Sequence, residues 1–357
     1  MTNPGTAVWI LGATGRVGRG SARLIASSGD FDGILLVGRS STRLGDLARS
    51  VGAAADTWAV DSIDAIADRI ESDRPAVVIN LLGSYSQTSA RLAQAALKAG
   101  SYLDLANDLE SMGSVLALDA QARAAHGTVI TGAGFGVLAT EAAVAHLRAG
   151  SETPEHIRVD ALASFASPGG PLGEAFAQTS VDVMRTGGRA YRSGRLVRVR
   201  LGSNHTHHSL PDGTTVDSAA VPSGELLAAQ RVSGAPNVDF TSALAPTTPL
   251  MRTLLPALSV LASIPVARRA MVRRLAATET PAAPSPRPHS WGHAVMTWLD
   301  GTRREAWLRT DDAMDFTVRA VAAVASALSS NERPFGAFTP AQAFGAEIVT
   351  RAGATIQ

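Results

Sequence analysis

Ala7-Val8-Trp9-Ile10-Leu11-Gly12-Ala13-Thr14-Gly15-Arg16-Val17-Gly18 runs five apolar residues into three glycines spaced three apart. An apolar run of this length reads as a buried strand, and the periodic stretch after it, Gly18–Ser28, as a helix. The glycines between them have distinct tasks. Gly12 permits a tight turn, Gly15 lets backbone approach a pyrophosphate, and Gly18 allows close helix–strand packing. The N–H groups at the helix start then face an anion, so Gly12, Ala13, Thr14, Gly15, Arg16, Val17 and Gly18 form a candidate phosphate cradle.

Outward from this motif the same alternation continues. Gly33–Val37, Thr57–Val60, Ala76–Leu82, Tyr102–Leu105 and Thr128–Ile130 read as short strands, with helices expected over Ser41–Val51, Ser62–Ile70, Thr88–Ala99 and Met112–Ala125. Strands alternating with helices of about ten residues indicate βαβ units and a Rossmann-type doubly wound parallel sheet. The texture changes after Gly136, where a second, mixed α/β substrate domain is expected. Its elements are a helix at Thr140–Ala149, strands at Ile157–Phe165 and Arg195–Leu201, and a helix over Leu172–Thr186. The stretch Trp291–Leu299 and Glu305–Thr310 about Asp300-Gly301 is a hairpin signal. Thr278–Pro288 reads as an exposed Pro/Ala loop. The expected division is 1–135 for the dinucleotide domain, 136–312 for the substrate and dimerisation domain, and 313–357 for helices packing back on the first.

The second strand chooses between cofactors. A chain that binds NAD places Asp or Glu about 20 residues after the glycines, to hold the ribose hydroxyls. Here the strand ends in Gly38-Arg39-Ser40, with Arg43 one helical turn on. Arg39 can stack on adenine and pair with a 2′-phosphate, and Ser40 can donate to it. The cofactor expected is therefore NADP(H).

Composition narrows the chemistry. The 357 residues are 45% hydrophobic with a formal charge of +1, so a core is affordable and no chain-wide field attracts nucleic acid. Cysteine is absent, which removes disulfides, thiolate nucleophiles and Cys-type metal sites. Lys98 is the one lysine among 32 basic residues. Short-chain dehydrogenases pair Tyr with Lys four residues later, and none of Tyr85, Tyr102 or Tyr191 has that partner. His205 and His207 would share one face of a strand, with Asp212 nearby, but two histidines are too few for a metal and read better as solvated. No metal site is expected. Leu254–Val266 contains Pro256 and Pro265 and falls short of the roughly 20 apolar residues of a span. The basic amphipathic stretch 250–275 could meet a membrane surface, its own core, a subunit or an acidic carrier. A cytoplasmic homodimer is the expectation.

From Gly12 to Gly136 the chain resembles the saccharopine dehydrogenase-like oxidoreductases. The matching blocks are Gly12–Gly18, Val78–Tyr85, Ala99–Leu105 and Gly132–Gly136, with Pro334–Pro340 similar to the family's closing segment. The resemblance implies that Asn80, Leu81, Leu82, Gly83 and Tyr85 lie along the nicotinamide half of the cofactor. It also implies Asp61 near the adenine and Phe135 against the cofactor. Ser84 stands where the family has proline, and Asn107, Asp108 and Glu110 where it tends to Gly-Glu. Both departures fall where substrate is expected, so the resemblance transfers the cofactor and not the substrate.

Tyr85 and Asp104, each at a strand's carboxyl end, are the candidate catalytic groups. Tyr85 serves as proton donor, oxyanion partner or aromatic shelf; Asp104 as catalyst or as acceptor for loop amides. Without an acid dyad the chain suits reduction of C=N or conjugated C=C better than of a ketone, whose developing alkoxide needs more help. The expected function is NADPH-dependent reduction of such a bond in a small or lipid-like metabolite, including carrier-bound acyl chains. No basic cluster for several carboxylates can be singled out, which argues against saccharopine itself. The alternatives are an NADP(H)-binding regulator without turnover and a redox-neutral isomerase or cyclase.

Overall fold

The computed structural model describes residues 6–52 and 55–357. Two compact units divide the chain, one of residues 1–138 and 314–353, the other of 139–313 and 354–357.

The first unit alternates without interruption: β1 (Ala7–Leu11), α1 (Arg16–Ser28), β2 (Gly33–Gly38), α2 (Ser41–Val51), β3 (Ala55–Ala59) and α3 (Ile63–Asp73). Then come β4 (Val77–Asn80), α4 (Tyr85–Leu97), β5 (Ser101–Asp104), α5 (Leu109–Leu116), α6 (Asp119–Ala124) and β6 (Thr128–Ile130). The strands are parallel and ordered β3-β2-β1-β4-β5-β6, the doubly wound order whose reversal falls between β1 and β4. All five residues of β1 and all four of β4 are buried, because helices cover both faces. Trp9, Leu11, Val37, Ile66, Ile70, Val78 and Leu92 belong to one core cluster of this layer.

One expected helix, Met112–Ala125, is two. Asp108 caps α5 by accepting from the Ser111 N–H at 2.8 Å. The chain breaks where Leu118 turns into the core, and Asp119 then accepts from the Ala337 N–H at 2.9 Å. Periodicity could not show that break, because Asp119 answers to a strand more than 200 residues away. The helix after β4 also starts earlier than expected, at Tyr85, since Ser84 enters it in a left-handed conformation (φ +46°).

Helix α7 (Phe135–Arg148) begins within the first unit, and the second continues with β7 (His156–Leu162), β8 (Ser167–Pro171), α8 (Glu174–Thr186), β9 (Gly188–Arg192) and β10 (Arg195–Val199). There follow β11 (Thr206–Ser209), β12 (Thr215–Ala220), α9 (Glu225–Ser233), β13 (Asn237–Ser242), α10 (Pro249–Ala262) and α11 (Pro265–Ala276). Then β14 (Glu279–Ala283), β15 (Ser290–Thr297) and β16 (Arg303–Thr310) complete the stretch. The main sheet runs β10-β9-β13-β7-β15-β16, with β12 beside β13 and β11 beside β12. Only β13–β7 is parallel, so the sheet is mixed. The hairpin β15–β16 turns at Asp300-Gly301, where glycine takes φ +85°. The expected loop Thr278–Pro288 is corrected in part: β14 within it pairs antiparallel with β8. β14 is mostly exposed and has no apolar alternation, so backbone pairing alone makes it a strand.

After β16 come α12 (Ala313–Ser329), β17 (Gly336–Phe338), α13 (Pro340–Phe344), α14 (Ile348–Arg351) and β18 (Thr355–Ile356). Strand β17 extends the first unit's sheet as a seventh parallel strand beside β6, and β18 joins β16 in the second.

Candidate functional site

The glycine loop is shaped by close backbone approach. Gly12 takes φ +76°, and a Cβ there would stand 2.5 Å from the Leu81 carbonyl oxygen. A Cβ on Gly18 would stand 2.5 Å from the Gly12 oxygen and 2.7 Å from that of Ala13. Both positions exclude any side chain. Helix α1 then starts on Gly15 with no capping side chain and no acid in its first turn. Ala13 is buried, while Thr14, Gly15, Arg16 and Val17 are open to solvent in part or in full. A helix start of this kind suits a phosphate, since its dipole and amide groups favour an anion.

Two strand ends meet this loop. The Gly12–Leu81 approach brings the Asn80 block to it from β4. On the other side, a Cβ on Gly38 would be 3.6 Å from Thr14 Oγ1, so β2 delivers its next residue, Arg39, beside the loop. Arg39 is exposed and makes no hydrogen bond or ion pair among the described residues. The Ser40 hydroxyl oxygen accepts from the Arg43 N–H at 3.3 Å, capping α2 and leaving its hydrogen to donate. Arg43 is exposed, and so is Asp61, which follows β3.

Beyond the loop, Asn80 is fully buried and serves as an anchor. Its Nδ2 donates to Thr88 Oγ1 (3.2 Å) and Tyr102 Oη (3.0 Å), and its Oδ1 accepts from the Leu82 N–H (3.2 Å). Tyr102 Oη donates to Asp104 Oδ2 at 2.9 Å. Asp104 Oδ1 accepts from Thr131 Oγ1 (2.7 Å) and from the amides of Ala106 (3.1 Å) and Gly132 (3.3 Å). Burial raises the Asp104 carboxyl above its usual range, while these donors pull it down. Asn80 and Asp104 are thus two ends of one buried chain that holds the exits of β4, β5 and β6 together. Tyr102, Thr88 and Thr131 were not singled out in the sequence. Tyr102 was within reach, because residues two apart on a strand share a face.

Tyr85 is the first residue of α4 and is half-buried. Its phenol is held protonated well above the ordinary value, first by burial and then by the charges of Asp104 and Asp108. Lys98 bonds Glu71 at 2.6 Å at the far end of α4, so the one lysine does not offset this. Gly83 takes φ +75° with open space around it, and the next residue, Ser84, is also left-handed. Proline, which the similar family carries there, is locked near −65° and cannot take that conformation. Phe135 is buried and packs edge-to-face on Phe316 at 6.0 Å, while its N–H donates to Thr317 Oγ1.

The second unit holds a separate polar cluster. His205 and His207 are exposed and face Asp217 at 3.7 and 2.9 Å, whereas Asp212 bonds Thr214, His289 and Trp291. The adjacent His208 points the other way and is buried. Strand register sets Thr241, Asp160, His293 and Trp307 in one row across four strands. Asp160 accepts from His293 Nδ1 (2.9 Å), Arg158 Nε (2.9 Å) and Thr241, and His293 stacks on Trp307 at 3.8 Å. Despite burial, His293 and Arg158 hold the Asp160 carboxyl at about 2. Asp160, His208 and His293 bring ligand atoms within 4.8 Å of one another, a spacing a metal could use. The Arg158 guanidinium already supplies positive charge at Asp160, while His293 Nε2 is buried with no hydrogen-bond partner among the described residues.

A phosphate-shaped helix start, a glycine turn that excludes side chains and an unpaired Arg39 beside it fit an NADP-type dinucleotide. The first unit is therefore the nucleotide-binding domain of an NADP-dependent oxidoreductase. Residues 8–130 match the saccharopine dehydrogenase NADP binding domain. Apo saccharopine dehydrogenase (L-Glu forming) from Saccharomyces cerevisiae is similar over 97% of this chain and 96% of its own. The TM-score is 0.59 at 13% identity, a likeness of fold. Serine dehydrogenase from Escherichia coli overlaps 35% of this chain and 80% of its own, at 14% identity and TM-score 0.28. A short chain dehydrogenase from Bacillus anthracis overlaps 36% and 73%, at 15% identity and TM-score 0.30. No curated protein matches the chain in sequence.

Proposed function

We propose that this oxidoreductase reduces a C=N bond or a conjugated C=C bond in a small or lipid-like metabolite, carrier-bound acyl chains included. The observation that carries the reading is the state of Tyr85. Its phenol keeps its proton, and the chain's one lysine is engaged by Glu71. Ketone reductases of the Tyr–Lys type need the opposite, a tyrosine whose pKa a neighbouring cation lowers. An iminium carbon is already positive, and an enolate needs only a hydrogen-bond donor, so a protonated phenol suffices for either.

Gly12–Gly18 would hold the pyrophosphate, Arg39, Ser40 and Arg43 the 2′-phosphate, and the Asn80–Gly83 segment the nicotinamide half. NADPH supplies the hydride when bound. The residues of this chain do the rest. Asn80, Tyr102 and Asp104 act as positioning groups that keep the β4 and β5 exits rigid. Tyr85 presents a proton at Oη to a substrate oxygen or nitrogen.

The first experiment is titration of the purified protein with NADPH and NADH, followed by NADPH oxidation with cyclic imines and enoyl thioesters. Arg39→Asp should weaken NADPH by about tenfold or more, the worth of a charged hydrogen bond at an exposed site, and leave NADH nearly unchanged. Equal loss of both would show that Arg39 does not read the 2′-phosphate. Absence of NADPH oxidation with both substrate classes would sink the reaction assignment.

A further inference from the structure

We propose that the turn joining α10 and α11 is an interfacial element that docks on an anionic lipid surface. Helices α8, α10 and α11 pack about Ala177, Val181, Ala262 and Val272, with Leu255 also buried, so this trio has an inner apolar seam of its own. Its outer side is apolar as well. Leu254, Val260, Leu261, Ile264 and Val266 are exposed, Val260 by 67% and Val266 by 70%. Of the expected stretch 250–275, the side chains at 250–252 and 256 lie outside the described residues.

Charge says what covers this surface. Residues 240–278 contain five arginines and no acidic residue. Arg268 is answered by Asp182 at 2.8 Å, but Arg269, Arg273 and Arg274 are exposed with no ion pair among the described residues. Exposed aliphatic residues at a bend, flanked by unanswered arginines, match an interfacial helix pair: the apolar side chains enter the acyl boundary while the guanidiniums meet lipid phosphate. A symmetric contact with a second copy would set arginine against arginine, with no acid in the segment to compensate. Spanning is not the mode. Among the described residues no single helix is long and apolar enough to cross a membrane, and the two helices bend by 116°. Insertion as a pair would also strip both from α8.

The test is sedimentation of the full chain with phosphatidylcholine vesicles, with and without one-third phosphatidylglycerol, at low and high salt. The wild type should bind the anionic vesicles, prefer them by at least about tenfold, and lose that preference in high salt. The triple variant R269Q/R273Q/R274Q should lose roughly a hundredfold on anionic vesicles. The variant V260D/V266D should lose binding altogether, and NADPH affinity should stay unchanged in both. The chain has no cysteine, so V266C carrying an environment-sensitive dye reads insertion directly, as a blue shift with anionic vesicles. No binding at low salt, no blue shift, or binding indifferent to both variants would overturn the proposal. So would a dimer in light scattering that V260D/V266D splits, since a second copy would then cover the surface.

Discussion

Gly12 and Gly29 offer a matched pair of perturbations within one βαβ unit. Both residues are left-handed, at φ +76° and +75°, but a Cβ on Gly12 would meet the Leu81 carbonyl at 2.5 Å, and one on Gly29 would meet nothing within 4 Å. Gly29→Ala should therefore cost only the left-handed conformation, about 1–2 kcal/mol. Gly12→Ala carries that cost plus the clash, in which the loop and the β4 exit must part by about 1 Å to reach ordinary contact. Overpacking of that kind costs about 1–3 kcal/mol, so Gly12→Ala should come out about 2–5 kcal/mol less stable than the wild type. The unfolded-state effect of replacing glycine is common to both variants and cancels in the difference. Urea-unfolding midpoints read the stabilities, and NADPH titration reads the cradle, where Gly12→Ala should lose affinity and Gly29→Ala should keep it. Equal midpoints for the two variants, or full NADPH affinity in Gly12→Ala, would refute the view that close approach of β1 and β4 shapes the site.

Two further predictions concern ionisation. Tyr85→Phe should lower kcat by about a hundredfold, the usual worth of a placed proton donor, while NADPH affinity is kept; unchanged turnover would assign Tyr85 to packing. Glu225 is buried at the start of α9, bonded to Ser223, and burial pushes its carboxyl from the usual 4.5 to about 7. A carboxyl raised in the folded state binds the extra proton there, so folding is favoured below pH 4.5 and loses about 3 kcal/mol as pH rises through 7. Glu225→Gln should remove that slope and gain on the wild type between pH 5 and 8; parallel stability profiles in urea would show that Glu225 does not titrate there.

The parallel sheet was legible because its signals are local. Five apolar residues before Gly12, the Gly12–Gly18 spacing and the return of short strands each depend on neighbours in sequence, and the order about β1 and β4 follows from them. Arg39 was legible for the same reason, as the residue that follows β2. The Asn80–Tyr102–Asp104 chain was only half legible. Asn80 and Asp104 lie 24 positions apart, and nothing in either strand shows that Tyr102 bridges them. The histidines show the limit more sharply. His205 and His207 drew attention as a pair on one face and are exposed, whereas the buried network uses His208 from the other face. Its partners Asp160 and His293 come from strands that only register makes neighbours.

By itself the sequence determined the βαβ succession, the glycine turn and the place of Arg39 just after the second strand, because each is written within one element and its next turn. The tertiary structure decided what depends on distant backbone. It paired β14 with β8, split α5 from α6 through Asp119 and Ala337, and buried Asp160 beside His293. It also turned one face of α10 and α11 inward to α8 and left the other outside. These outcomes rest on hydrogen bonds and burial between segments far apart in the chain, and the periodicity of any one segment is blind to its partner.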